Sequence, residues 1–158
     1  MSGMLEGLRH LFRSRSGKEQ DRPFLEAAMA ACALVSTSEG QVSFADRVRV
    51  DQIMETLARL KVFDPHEGVD IFNRYADHIL AEPRAGRAAA LEQIRAVAQD
   101  PETAEILIRL CLAVSLSDGV TSLVEHIEIV SLCGLIGVDP AKIGLDTERL
   151  LAALLSGN

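Results

Sequence analysis

The 158-residue sequence has no tryptophan, one tyrosine and five phenylalanines, so aromatic side chains make up only 4% of it. A stacking platform for single-stranded nucleic acid needs more aromatic faces than this. Basic residues are also short: 16 Lys and Arg against 23 Asp and Glu leave a net charge of −7, which opposes a phosphate-binding surface. No nucleic-acid partner is expected. Three cysteines, an odd number without a CxxC pair, do not make a disulfide framework and fit buried thiols in a reducing compartment. The longest apolar run, Ala27 to Val35, is nine residues. A membrane-crossing helix needs ~20, so no transmembrane segment is expected. No apolar stretch followed by a small-residue cleavage site stands near residue 1, so no secretory signal is read, and a cytoplasmic location is expected.

What is present is an ordinary globular balance, 48% hydrophobic and 25% charged, on a length that fits one domain with a core of its own. The charge is uneven. Residues 1–22 carry a net +2 and the remainder −9. We read residues 1–22 as a basic amphipathic helix and linker, and 23–158 as a single domain. In residues 1–13, Leu5, Leu8, Leu11 and Phe12 recur at helical spacing around Arg9, His10 and Arg13. Such a helix either lies on an anionic membrane surface or folds back on the core, and its small size favours the second. The acidic body should attract cations or basic partners.

From Pro23 onward the chain reads as helices alone. The first runs to about Ser38, followed by Gly40. A second spans Ser43 to about Leu60, with Phe44, Val48, Ile53, Met54 and Leu57 as its apolar stripe. Asp64-Pro65, Asp100-Pro101 and Asp139-Pro140 each pair an N-cap with proline at the first helical position. Ile71, Phe72, Tyr75 and Ile79 give the third helix its stripe. Pro83 precedes an Ala-rich helix at 84–98, another runs from 101 to about 117, and one from Ser122 ends at Gly134 or Gly137. Asp146 or Thr147 opens a last piece. No segment alternates like a strand, so the expected class is all-α, with seven to eight helices.

An internal repeat organises this pattern. Cys32 through Gly40, CALVSTSEG, aligns with Cys111 through Gly119, CLAVSLSDG, at an offset of 79 residues. The match continues from Ser43 with Ser122 to Leu57 with Ile136. Two helical hairpins related by a pseudo-two-fold axis would bury their apolar faces together. Cys32 and Cys111 fall at equivalent places and read as small core side chains.

Each repeat carries an acid, a glycine and a second acid six residues on: Glu39-Gly40 with Asp46, and Asp118-Gly119 with Glu125. Ser43-x-x-Asp46 and Ser122-x-x-Glu125 look like capping boxes, which accounts for the second acid. The first acid follows a helix C-terminus, where the dipole disfavours it. Carboxylates converging on a tight turn are a plausible site for calcium or magnesium. The spacing matches half an EF-hand loop, but Val114 and Leu116 would occupy its first ligating positions, so this is no EF-hand and binding should be weak. His10, His66, His78 and His126 lack zinc-site spacing, no phosphate loop or nucleophile signature is present, and no catalytic residue is read.

The stretch Val114–Glu125, followed by Gly-Val-Asp-Pro at 137–140, and Leu-Lys-Val-Phe-Asp at 60–64, resemble the tellurite-resistance TerB family. The resemblance covers roughly residues 24–146. It implies a compact all-α fold of two pseudo-symmetric halves, and a non-enzymatic bacterial stress-response module that senses divalent cations, calcium being favoured. It further implies an adaptor working with protein partners, among them an integral-membrane component, at the inner face of the membrane. The metal-binding residues it implies are Asp118 and Glu125, then Glu39 and Asp46. The first repeat departs from the family pattern, with Glu39 where Asp is usual and Asp46 where Glu is usual. The competing expectation is a metal-independent domain that docks a basic partner on its acidic face.

Overall fold

The computed structural model describes residues 21–117, 119, 121–145, 148, 152, 155 and 156. Six α-helices and one short 3₁₀ turn stand among the described residues, with no strand: α1 at 21–36, α2 Phe44–Thr56, α3 Pro65–Ala81, α4 Pro83–Val97, α5 Pro101–Ser115, α6 Leu123–Ile136, and the turn Pro140–Ile143. The class is all-α, as the sequence requires. The helix expected at 1–13 lies outside the described residues, as do Asp146 and Thr147; of the piece expected to open there, Glu148, Ala152 and Leu155 are described and helical.

α1 is the centre of the fold. From Phe24 to Val35 every side chain except Glu26 is buried. A helix apolar on all sides has to be surrounded by others. Its five alanines at 27, 28, 30, 31 and 33 present little bulk, so neighbours approach closely. Contacts from three other helices reach it: Arg74 and Tyr75 of α3 bond Glu26, Gln93 of α4 donates to the Pro23 carbonyl, and the Cys111 thiol of α5 lies 3.6 Å from the Ala31 carbonyl oxygen. At its start, Arg59 lies 3.9 Å over the Phe24 ring while pairing with Asp21 at 2.9 Å.

The Asp-Pro starts behave as read. Asp64 Oδ1 accepts from the His66 N–H, Asp100 Oδ2 from Thr103 N–H and Oγ1, and Asp139 Oδ1 from the Ala141 N–H. α3 and α4 form a hairpin that packs tightly at Gly86. A Cβ there would stand 2.5 Å from the Ile79 Cα, which only glycine avoids.

α2 corrects the expected stripe. Phe44 is 81% exposed and Val48 is exposed too, whereas Val50, Ile53 and Met54 are buried. The inward face of α2 therefore runs Asp46, Val50, Ile53/Met54 and Leu57, a four-three-four spacing that begins with an acid. α2 also stops at Thr56, with Leu57 as C-cap, rather than reaching Leu60. α6 ends at Gly137 and passes through Gly134 without a break.

Candidate functional site

The described residues of the two acid-glycine turns make matching backbone hydrogen bonds. In the first, Thr37 N–H bonds the Ala33 carbonyl at 3.0 Å and Gly40 N–H the Thr37 carbonyl at 2.9 Å. In the second, Leu116 N–H bonds the Leu112 carbonyl at 3.0 Å and Gly119 N–H the Leu116 carbonyl at 2.9 Å. Gly40 and Gly119 have φ of 91° and 90°, a conformation that side chains with a Cβ rarely adopt. Both following helices open on full capping boxes. Ser43 Oγ accepts from Asp46 N–H at 3.0 Å, and Ser122 Oγ from Glu125 N–H at 3.1 Å; each acid accepts in return from its serine's N–H.

The turns also meet. Ser117 Oγ, in the second turn, donates to Asp46 Oδ1, in the first, at 2.6 Å. That bond links residues 71 apart and ties the start of α2 to the end of α5. Asp46 is only 6% exposed. Its charge reaches Cys32 on α1, whose thiol is pushed up to about 12, chiefly by burial and then by Asp46. Glu125 is held above the ordinary carboxylate range. Burial is the main cause, opposed by the bonds from Ser122, with the negative fields of Glu39 and Asp46 adding to the rise. Three of the four expected acids thus share one electrostatic neighbourhood. Glu39 is exposed at its edge. The fourth, Asp118, lies outside the described residues.

Among the described residues no ion pair engages Glu39, Asp46 or Glu125; the five pairs all lie elsewhere. Among the same residues, no group of three or more His, Cys, Asp or Glu side chains is gathered closely enough to hold a metal ion. The donors are hard carboxylate and hydroxyl oxygens, which suit calcium or magnesium and not a soft metal. The thiols are the wrong chemistry for such an ion and the wrong state for reaction. Cys32, Cys111 and Cys133 are all buried, with Cys133 raised to about 11 and Cys111 well above its usual value, mainly by burial.

Sequence reasoning missed Ser117. The signal was there: Ser38 and Ser117 stand at equivalent positions before the acid. Only Ser117 reaches across, because Ser38 Oγ turns back to the Val35 carbonyl at 2.7 Å. A second asymmetry lies beside it. Ser115 Oγ and Thr121 Oγ1 are 2.9 Å apart and close the second turn. Their counterparts in the first are Ser36 and Val42, and the buried Ser36 hydroxyl has no hydrogen-bond partner among the described residues.

A family profile described as Tellurite resistance protein TerB matches residues 25–145, the helical body that carries both turns. The chain belongs to the TerB family. A curated relative, Tellurium resistance protein TerB of Alcaligenes sp, is 23% identical over 110 residues, 70% of this chain and 90% of the relative. No solved structure matches significantly. For this TerB-family chain, the matched span includes every acid of the two turns. No helix among the described residues is long and apolar enough to cross a membrane.

Proposed function

We propose that this TerB-family domain is a non-enzymatic stress-response module of the tellurite-resistance type, which senses a divalent cation at the junction of its two acid-glycine turns and passes the signal to a protein partner. The observation that carries the reading is the 2.6 Å Ser117–Asp46 bond, which draws the turns together and leaves Glu125 in the field of Glu39 and Asp46. A carboxylate whose proton affinity is raised by burial and then by neighbouring acids, as at Glu125, is stabilised by a bound cation. Glu125 and Glu39 would hold the ion, with Asp118 from the second turn, and Asp46 held by Ser117 would supply charge behind them. The ion would bridge the turns and neutralise their mutual repulsion. So few protein ligands leave water to complete the shell, which means weak, millimolar-range affinity. In this reading the two halves act as a pseudo-symmetric pair, and the partner contacts the surface around the ion, including an integral-membrane component at the inner face of the membrane.

Action is indirect in this reading. Thiols buried and held protonated do not meet an oxyanion in solution. The test is a calcium and a magnesium titration followed by amide NMR, on the wild type and on Asp118→Ala/Glu125→Ala. Saturable shifts at 37–47 and 115–126, lost in the variant, support the reading. No shift at millimolar calcium or magnesium leaves the acids as helix caps, and the domain as a metal-independent module that docks a basic partner on its acidic face.

A further inference from the structure

A groove of about 400 Å³ opens beside the first turn. Its walls are Thr37, Ser38 and Gly40 of the turn, Ile79 and Leu80 of α3, and Val124 and Ile127 of α6, with Arg87 and Glu128 bridging its rim at 2.8 Å. Leu80, Val124 and Ile127 are 41%, 47% and 42% exposed, so three branched apolar side chains face water at one spot. A contiguous apolar groove with a charged rim is a place where an amphipathic helix lies.

We propose that the groove is the docking site of the chain's own N-terminal segment, residues 1–13, which lays Leu5, Leu8, Leu11 and Phe12 against Leu80, Val124 and Ile127. The charge fits. The segment brings Arg9 and Arg13, and Glu39, between the groove residues Ser38 and Gly40, is exposed and, in the cation-free protein, outside every ion pair among the described residues. The reach fits too. From residue 21 to Thr37, α1 rises ~24 Å. An extended link from residue 13 to 21 spans at most ~26–29 Å. Along the way Gln93 of α4 bonds the Pro23 carbonyl and Arg87, ~9 Å along the same helix, lines the groove, so the link has a surface to follow over part of its course. Tethering raises the local concentration of a short helix whose affinity alone would be small.

The buried cysteines permit a direct test on the full chain, because a cysteine introduced at Ser14 is the one that a nitroxide label reaches. The label at Ser14→Cys should broaden the amides of Thr37, Leu80, Val124 and Ile127, and spare Gln52 and Thr56 of α2. Adding Leu8→Asp/Leu11→Asp should remove the broadening, and 0.5 M salt should weaken it. Broadening confined to Asp21–Glu26 and its neighbours overturns the proposal. So does broadening seen only between differently labelled copies, which makes the occupant a second chain. Sedimentation of the full chain with phosphatidylglycerol vesicles, abolished by Leu8→Asp/Leu11→Asp while the vesicle-free protein shows no broadening at the groove, assigns the segment to a membrane and also overturns it.

Discussion

Replacing Glu125 by glutamine separates a carboxylate that holds a cation from one that only caps a helix. The glutamine carbonyl oxygen keeps the acceptor for the Ser122 N–H, now bonded at 3.0 Å, so the cap survives. What goes is a charge that burial and the fields of Glu39 and Asp46 already disfavour. Without divalent ions at pH 7 the variant should match the wild type or gain roughly 0.5 kcal/mol, the size of a partly exposed charge interaction. For a domain of this size that is ~1–2 °C in Tm. Calcium at ten times its Kd should stabilise the wild type by about 1.4 kcal/mol, or ~3–6 °C, through binding the folded state alone. In Glu125→Gln that increment should fall below ~1 °C.

The pH dependence carries a sign. Glu125 has a higher proton affinity folded than unfolded, so its contribution is fully present below ~pH 4 and is lost as pH rises through the raised folded value. Wild type and variant should therefore converge at low pH and separate towards neutrality, with the wild type the less stable. Differential scanning calorimetry with and without calcium, at pH 4 and pH 7, reads both effects. A variant at least 1 kcal/mol less stable than the wild type at pH 7 without calcium would mean that the charge is a needed cap. An undiminished calcium increment would refute the cation site at this residue.

Four further outcomes follow from the same geometry. Ser117→Ala removes a 2.6 Å bond to a buried carboxylate and should cost about 1.5–3 kcal/mol in the urea unfolding midpoint; an unchanged midpoint would show that the turns do not depend on it. Ser36→Ala deletes a buried hydroxyl that has no hydrogen-bond partner among the described residues and should be neutral or stabilising by up to ~1 kcal/mol, whereas Ser115→Ala, which breaks the bond to Thr121, should destabilise; the same urea assay ranks them. Gly86→Ala gains helix propensity, yet its Cβ meets the Ile79 backbone, so a net loss of ~1–3 kcal/mol and a Tm drop are expected in a thermal melt. The thiols are protonated in the folded state to about 11 at Cys133 and about 12 at Cys32, so stability should decline as pH rises above ~8.5 and keep declining to those values; urea midpoints from pH 8 to 10.5 should fall less steeply in Cys32→Ala than in the wild type.

The helices and their starts were legible because each depends on local chemistry. Asp64, Asp100 and Asp139 cap the next turn through their own side chains, and Ser43 and Ser122 close their boxes within three residues. The repeat was legible because both turns need glycine at positive φ. The inward face of α2 was not. Phe44 and Val48 fit an apolar stripe by type, but the capping box and Ser117 turn Asp46 inward, and Asp46 then sets the face that Val50 and Ile53 continue. An acid that leads a buried face runs against every hydropathy pattern. The meeting of the two turns was also beyond reach, since it rests on a bond across 71 residues that no local rule specifies.

The exchange of acid types between the turns, Glu39 and Asp46 against Asp118 and Glu125, follows from this asymmetry. A glutamate at 46 would push one more methylene into a site where the carboxylate is 6% exposed and already 2.6 Å from Ser117. Overfilling a packed site costs stability, so the short acid belongs there. With Asp46 committed to the interior, the first turn's outward acid is residue 39, and a glutamate there extends one bond further than an aspartate would. In the second turn the longer Glu125 is half-buried behind its cap. The exchanged residues therefore carry exchanged tasks. Asp46 holds the turns together, and Glu39 is exposed and outside every ion pair among the described residues, as the proposed cation site requires. In the proposed cation reading, the first turn is then a remodelled half of the site.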